Sequence, residues 1–377
     1  MTAGISRRTL VKGGSAAVMA LAVPGWSWAT GKDLYRTAIV IDGLGALGNT
    51  ATDRSIPLAD PYIEDARKSG ITCVHLTITP VGTTAPDTAF TETILGIGAA
   101  ERDIDHHPDV LSRIRTAADI HVAKDTGRVG LIYGLQDGVA FESDLSRLDE
   151  LYRQGIRIVQ PTYNRRNLLG DGCLEAANAG LSKAGFEAIE RMNALGVLVD
   201  LSHCGRQTAA DAIKASKKPV AFTHTGSAAL NDHPRNRTDA ELRAVAEKGG
   251  VSGIYFMPFL SEGRQPTAAD ILRHLEHMIE VAGEDHVSIG TDGFVSTEVV
   301  DAKFKEQFAG FIRERQAAGI ASPGETPEGY LFANELNDPR RFETLADMLS
   351  ARGHADARIE KILGRNLVRV FKDAWKG

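Results

Sequence analysis

Eight short apolar runs, each followed by a stretch of helical character, constrain this chain more than anything else in it. The runs cover residues 37–42, 71–79, 129–136, 156–163, 197–203, 219–224, 250–256 and 286–292. They are rich in β-branched and other apolar residues with little alternation, as strands buried on both faces should be. Glycine punctuates several of the intervening helices: 181–195 runs into Gly196, 242–248 into Gly249 and 145–153 into Gly155, the expected left-handed stop. Parallel strands need such crossovers, and eight of them predict an α/β fold of the (β/α)8 TIM-barrel type. Residues 301–340 are the least regular part and read as a helix-and-loop insertion. The stretch 345–371 predicts extra C-terminal helices packed on the outside.

The first 29 residues stand apart from this pattern. Ser6-Arg7-Arg8-Thr9-Leu10-Val11-Lys12 is a twin-arginine motif, an apolar stretch follows through Val23, and Ser27-Trp28-Ala29 is a small-x-small cleavage site. Residues 1–29 are therefore expected to be a twin-arginine signal peptide, with a single domain over 30–377 exported to the periplasm by the twin-arginine machinery. The apolar run is shorter than the ~20 residues a membrane span needs. A formal charge of −6 in 377 residues argues against a nucleic-acid surface. Cys73, Cys173 and Cys204 make no CxxC pair, and an odd number leaves at least one free or paired between chains. The Gly43-Leu44-Gly45 segment is too short for a dinucleotide fingerprint. Nothing in the sequence sets the oligomeric state, and a homodimer stands as one option.

In a parallel barrel the C-terminal strand ends converge on one mouth, where such enzymes keep their chemistry. Here the fifth run ends at His203, the sixth at His224 and the eighth at Asp292. Adjacent strands lie ~4.8 Å apart, so two imidazoles from neighbouring ends can reach one ion. Asp292, between Gly290 and Gly293, has the character of a proton-accepting carboxylate. Arg235, on the loop after the sixth run, can hold a carboxylate or a developing oxyanion; Arg237 competes for that role, and His233 reads as a loop residue. The long segment from Tyr163 to Glu175 reads as a site-covering loop. Its Asp171, Cys173 and Glu175 are candidate replacement ligands whose roles stay open. His106-His107 read as a capped or exposed pair at a helix start, and His274 and His277 as an outward helix face. Asp42 and Asp137 lie near the mouth with no role beyond hydrogen bonding assigned.

Taken together, Val197-Leu-Val-Asp-Leu-Ser-His203, Pro219-Val-Ala-Phe-Thr-His224, Arg235-Asn236, Gly180-Leu181-Ser182, Gly290-Thr-Asp292 and Gly364-Arg-Asn-Leu-Val-Arg-Val-Phe371 resemble the membrane dipeptidase (renal dipeptidase) family of zinc-dependent barrel peptidases, relatives of the amidohydrolases. The resemblance implies a two-zinc site: a His-x-Asp pair after the first strand on one ion, two later histidines on the other, and a bridging glutamate after the third strand. It matches the later histidines to His203 and His224, the general base to Asp292 and the substrate-holding arginine to Arg235. It also places Tyr163 where the animal enzymes keep a substrate-side histidine. The first-strand motif, Asp-Gly-His-Asn-Asp in the family, reads Asp42-Gly43-Leu44-Gly45-Ala46 here, and Gln136 stands at the bridging glutamate. Leu44 and Ala46 offer no lone pairs, and Gln136 offers only a neutral oxygen.

The expected activity is accordingly hydrolysis of a dipeptide or related small amide at a single zinc held by His203 and His224, with Gln136 as a further donor. A different chemistry on the same barrel, or an inert relative that binds a small molecule, are the alternatives.

Overall fold

The computed structural model describes residues 31–48, 56–79, 81–82 and 85–376; the expected signal peptide lies outside the described residues. Eight parallel strands form in the order in which they occur in the chain: β1 (Ile41–Asp42), β2 (Cys73–Thr77), β3 (Val129–Leu135), β4 (Ile156–Val159), β5 (Leu198–Asp200), β6 (Val220–Ser227), β7 (Val251–Ile254) and β8 (Val287–Ile289). Each pairs in parallel with its sequence neighbour, from Ile41 beside Cys73 through to Ile254 beside Ile289. Every residue of β3 and β6 is buried, which is why these runs show no polar alternation.

The seam between β8 and β1 is closed by other means. Gly43 N donates to Ile289 O at 2.8 Å, Asp292 N donates to Leu44 O at 2.9 Å, and Gly293–Phe294 pairs in parallel with Gly45–Ala46. Asp42 reinforces the seam by accepting from Thr291 N at 2.8 Å and from Thr291 Oγ1 at 2.6 Å. Gly290 is needed here, since a Cβ would lie 2.0 Å from Thr223 O. The predicted barrel is the observed architecture.

Local chemistry sets the helix boundaries. Ser182 caps the helix Lys183–Leu195 and Gly196 ends it in the left-handed region at φ 85°. Thr238 with Glu241, and Thr267 with Asp270, form reciprocal capping boxes at the starts of Asp239–Glu247 and Ala268–Ala282, satisfying donors that a helix start leaves unpaired. Among the described residues no helix is long and apolar enough to cross a membrane.

Three expectations need correction. His106 closes the helix Pro86–His106 rather than opening one. His274 is buried, accepting from Ser227 N through Nδ1 and bonding Leu260 O through Nε2; it fastens the helix to β6. Finally, the C-terminal helices do not all pack outside. The inward residues Ile41, Cys73, Ile132, Ile158, Leu198, Ala221 and Val251 cluster with Leu367, Val370, Phe371 and Trp375, so the last helix (Asn366–Ala374) stoppers the barrel floor.

Phe371 is fully buried and stacks on Trp375 at 4.3 Å. Phe371→Ala leaves a cavity in this floor and should cost about 3–5 kcal/mol of stability, read as a lowered midpoint in urea unfolding; a change of under 1 kcal/mol would contradict the assigned packing.

Candidate active site

The ends of β3 to β6 and β8 place the functional side chains around one mouth. Two buried histidines dominate it, and hydrogen bonds fix the tautomer of each. His203 Nδ1 lies 2.6 Å from Asn164 Oδ1, while Asn164 Nδ2 donates to Ile320 O at 2.7 Å; the amide oxygen can only accept, so Nδ1 carries the hydrogen. Thr223 Oγ1 donates to Asp200 Oδ2 at 2.6 Å and lies 2.8 Å from His224 Nδ1. Its one hydrogen is thereby used, and His224 Nδ1 donates to it. Both Nε2 atoms consequently carry lone pairs, and both are buried without a partner. Burial, with a smaller contribution from Arg235, holds both imidazoles well below their ordinary pKa and so neutral. The ring centroids are 5.0 Å apart.

Asp292 borders the same cavity as Tyr163, the ring that stacks on His203. Its φ of 57° is left-handed, a conformation strained for most side chains but tolerated by aspartate, and it follows from the turn that closes the seam with Leu44. Burial raises its carboxyl to about 6, against the pull of Arg235 and Arg315. Arg235 is 1% exposed; Nη1 donates to Ser202 O, while Nη2 has no partner. His233 holds this loop, accepting from Arg235 N at 3.1 Å and bonding Pro323 O. Arg237 is spoken for: it donates to Leu201 O, Ser202 O and Cys204 O and to Glu241 Oε1. Each arginine keeps one buried donor without a partner, Nη2 of Arg235 and Nε of Arg237, but the guanidinium of Arg237 is held by four acceptors and that of Arg235 by one.

Tyr163 stacks on His203 at 4.0 Å and 27°, with its hydroxyl accepting from Arg315 Nη2 at 3.2 Å. Gln136 Nε2 donates to Thr77 Oγ1 at 2.6 Å, which leaves its carbonyl oxygen as a lone-pair donor. A cavity of about 380 Å³ opens over Ala46, Gln136, Tyr163 and Asp292.

The loop from Tyr163 to Glu175 holds the site rather than supplying its ligands. Asp171 pairs with Arg166 and accepts from Ala179 N, and Glu175 accepts from Arg166 N. Cys173 donates its thiol hydrogen to Asn164 Oδ1 at 3.2 Å. Most of the cover over the mouth comes instead from the helix Ala302–Ala317 and the segment after it. Asp137 accepts from Asn167 Nδ2 at 2.9 Å, another fastening for the loop.

Three participants escaped the sequence reading. Asn164 sets the tautomer of His203 and ties it to the 320–322 segment. Arg315 and Glu325 form a buried pair at 2.5 and 2.9 Å beside Tyr163. His75, inside β2, bonds Gly43 O through Nδ1 at 2.7 Å and buries a third unpartnered Nε2; Gly134 makes its room, since a Cβ there would lie 1.9 Å from that nitrogen. An ionisable residue at an inward-facing position of a strand (73, 75, 77) was the available signal for His75.

Among the described residues no group of three His, Cys, Asp or Glu side chains is placed to hold an ion. The two-ion ligand set that the resemblance implies is incomplete here: Leu44 is buried carbon, Ala46 is a methyl, and Gln136 cannot bridge with a charge. One ion does fit the chemistry of the donors, because His203 and His224 bring two dry, neutral nitrogens already in the ligating tautomer.

Comparison with known proteins agrees with this architecture. The model of the family described as membrane dipeptidase (peptidase family M19) matches residues 34–308. An amidohydrolase from Pseudomonas aeruginosa of known structure is 32% identical, with 92% of this chain and 99% of that one covered, at a TM-score of 0.77. The dipeptidase verJ of Clonostachys rogersoniana is 28% identical over 270 residues, which span 71% of this chain and 61% of that protein. A metallopeptidase from Rhodobacter sphaeroides, solved with a phosphinate mimic of L-Ala-D-Ala, shares the fold at 22% identity and a TM-score of 0.73, with 90% of this chain and 100% of that one covered. The chain belongs to the membrane dipeptidase family, hydrolases of the metallo-dipeptidase type.

Proposed function

We propose that this protein hydrolyses a dipeptide or a related small amide at a centre reduced to one zinc ion. The observation that carries the reading is the pair of buried, unpartnered Nε2 lone pairs on His203 and His224, facing a site that also holds Asp292 and the free Nη2 of Arg235. His203, His224 and the neutral oxygen of Gln136 would hold the ion, which when bound supplies Lewis-acid polarisation of the scissile carbonyl.

The chain's own groups then have definite tasks. Arg235 Nη2 binds the substrate carboxylate, its guanidinium kept in place by Ser202 O. Asp292 accepts the proton of the attacking water and returns it to the leaving amine. Tyr163 covers His203 and, with Arg315, helps keep bulk water from that ring. The amino-terminal motif supports a further part of the proposal, that the protein works in the periplasm after twin-arginine export.

Protein purified from its native export route should contain about one zinc per chain by elemental analysis. His203→Ala and His224→Ala should abolish that stoichiometry, and Asn164→Leu should weaken zinc binding by about 10–100-fold through loss of the tautomer lock. Two zinc ions per chain would refute the reduced centre; no zinc and no turnover of any dipeptide would favour a binding relative instead.

Because burial raises the Asp292 carboxyl, its basic form is lost on acidification at a higher pH than an ordinary aspartate. The value of kcat/KM should rise with pH and reach half its plateau near about 6. Asp292→Asn should remove that acid limb and lower kcat by about 10²–10⁴-fold. An unchanged profile in the variant would assign the base elsewhere.

Export has its own test. Substitution of Arg7 and Arg8 together by lysine should leave the protein in the cytoplasm with its leader intact, and the exported wild-type chain should begin near Thr30 on amino-terminal sequencing. Export of the doubly substituted chain would overturn this part of the proposal.

A further inference from the structure

The cavity above the mouth has two unlike walls. Its floor is the set of barrel ends, Ala46, Gln136, Tyr163 and Asp292. Its roof is the segment beyond β8. In the helix Ala302–Ala317, residues Phe304, Phe308, Phe311 and Arg315 recur at i, i+4, i+7 and i+11 and so share one face; all four border the cavity. Phe304 and Phe308 lie nearly parallel at 5.7 Å, and both meet the edge of Tyr330, which stacks on Phe332 at 5.7 Å. Phe311, 44% exposed, stands at the rim.

Glu298, Gln307, Asn337 and Arg341 add polar edges to the cavity away from Tyr163, and the polar end of the roof beside Tyr163 is neutralised. Arg315 is held by both carboxylate oxygens of Glu325 and by the Tyr163 hydroxyl, so its charge does not call for an anionic ligand. The floor completes the contrast. Ala46 occupies the place where the family resemblance puts a metal-ligating carboxylate, and a methyl group there leaves space without charge. The room that a second ion and its ligands would fill is instead continuous with an aromatic chamber. Arg235 does not border that chamber, whereas Asp292 does, and Asp292 feels the charges of both Arg235 and Arg315. The proposed carboxylate-binding group therefore lies outside the chamber.

We propose that this chamber receives a large aromatic or branched apolar side chain on the acyl side of the scissile amide. The substrate class is then a dipeptide or amide with a bulky apolar amino-terminal residue, bound at its other end through a carboxylate. A volume of about 380 Å³ lies at the small end of the range for small-molecule sites. It suits one aromatic group rather than an extended peptide. Burial of apolar area against rings supplies the selectivity, and a small residue such as alanine leaves the chamber unfilled.

This inference rests on the hydrolase reading for its orientation, so binding and turnover are measured separately. The probes are reduced-amide analogues of Phe–Ala and Ala–Ala, in which the scissile carbonyl is a methylene and no cleavage can occur. Calorimetric titration of the wild-type protein should give a dissociation constant at least about tenfold lower for the Phe–Ala analogue. In Phe308→Ala, which opens the roof, and in Ala46→Leu, which fills the floor, the ratio should fall to within about threefold. Use of two variants at opposite walls guards against a folding defect in either one, and circular dichroism confirms the fold of each.

Equal affinities in the wild-type protein, failure of both analogues to bind, or a ratio retained in both variants would overturn the proposal. Turnover of the unmodified dipeptides is scored on its own. Selective binding without hydrolysis would sink the peptidase reading and leave the chamber standing, whereas hydrolysis without selectivity would do the reverse.

Discussion

The carboxylate of Asp200 is the interaction on which the site depends. Buried at the end of β5, it accepts from Gln160 Nε2, Ser202 N, Ser202 Oγ, Thr223 N and Thr223 Oγ1. Those donors come from the ends of β4, β5 and β6, so a single charge fixes three neighbouring strand ends in one register. Charge-assisted hydrogen bonds of this kind are stronger than neutral ones, and a buried carboxylate stripped of them would be costly. The same network settles the protonation of His224, because the Thr223 hydroxyl can point its hydrogen only one way. It also sets His203, whose backbone N–H is received by the Gln160 side-chain oxygen at 3.1 Å. Structural satisfaction and chemical readiness are here the same set of bonds.

That coupling explains how the centre differs from the two-ion pattern its resemblance implies. The half of the mouth built on β5 and β6 keeps its network and its nitrogen donors. The half built on β1 has exchanged ligands for a seam: Leu44 gives its carbonyl to Asp292 N, and Asp42 serves Thr291. Leu44 and Ala46 supply only carbon, and the carboxyl of Asp42 is engaged by Thr291. The difference lies in side chains, while the backbone of this half still positions Asp292 through Leu44 O.

Much of this was legible before any coordinates, and the parts that were not share a cause. Period and composition marked all eight strands, because burial on both faces leaves an apolar signature. His203 and Asp292 stand just beyond strand ends and His224 in the C-terminal half of β6, and the barrel topology alone brings such positions together. Arg235 and Arg237 were indistinguishable in sequence, since only the carbonyls of Leu201, Ser202 and Cys204 reveal which one is occupied. Asn164 lies 39 residues from His203, and the Arg315–Glu325 pair returns to the mouth from an insertion whose path no periodicity encodes. The last helix showed its apolar face, but not which end of the barrel that face would meet. Local patterns thus reported burial well, while partnerships across the fold required the fold itself.

The floor helix has a consequence for how the molecule comes into being. Leu367, Val370 and Phe371 follow all eight barrel strands in the chain, and until they dock, Ile41, Ile132 and Ile158 face an unsealed lower end. Domains otherwise begin to fold from their amino-terminal side during synthesis. Here the hollow of the cylinder cannot become dry until the helix Asn366–Ala374 has been made and has docked. A chain that stopped before this helix would present a greasy well to water, so the barrel is sealed by a segment made after all of its strands.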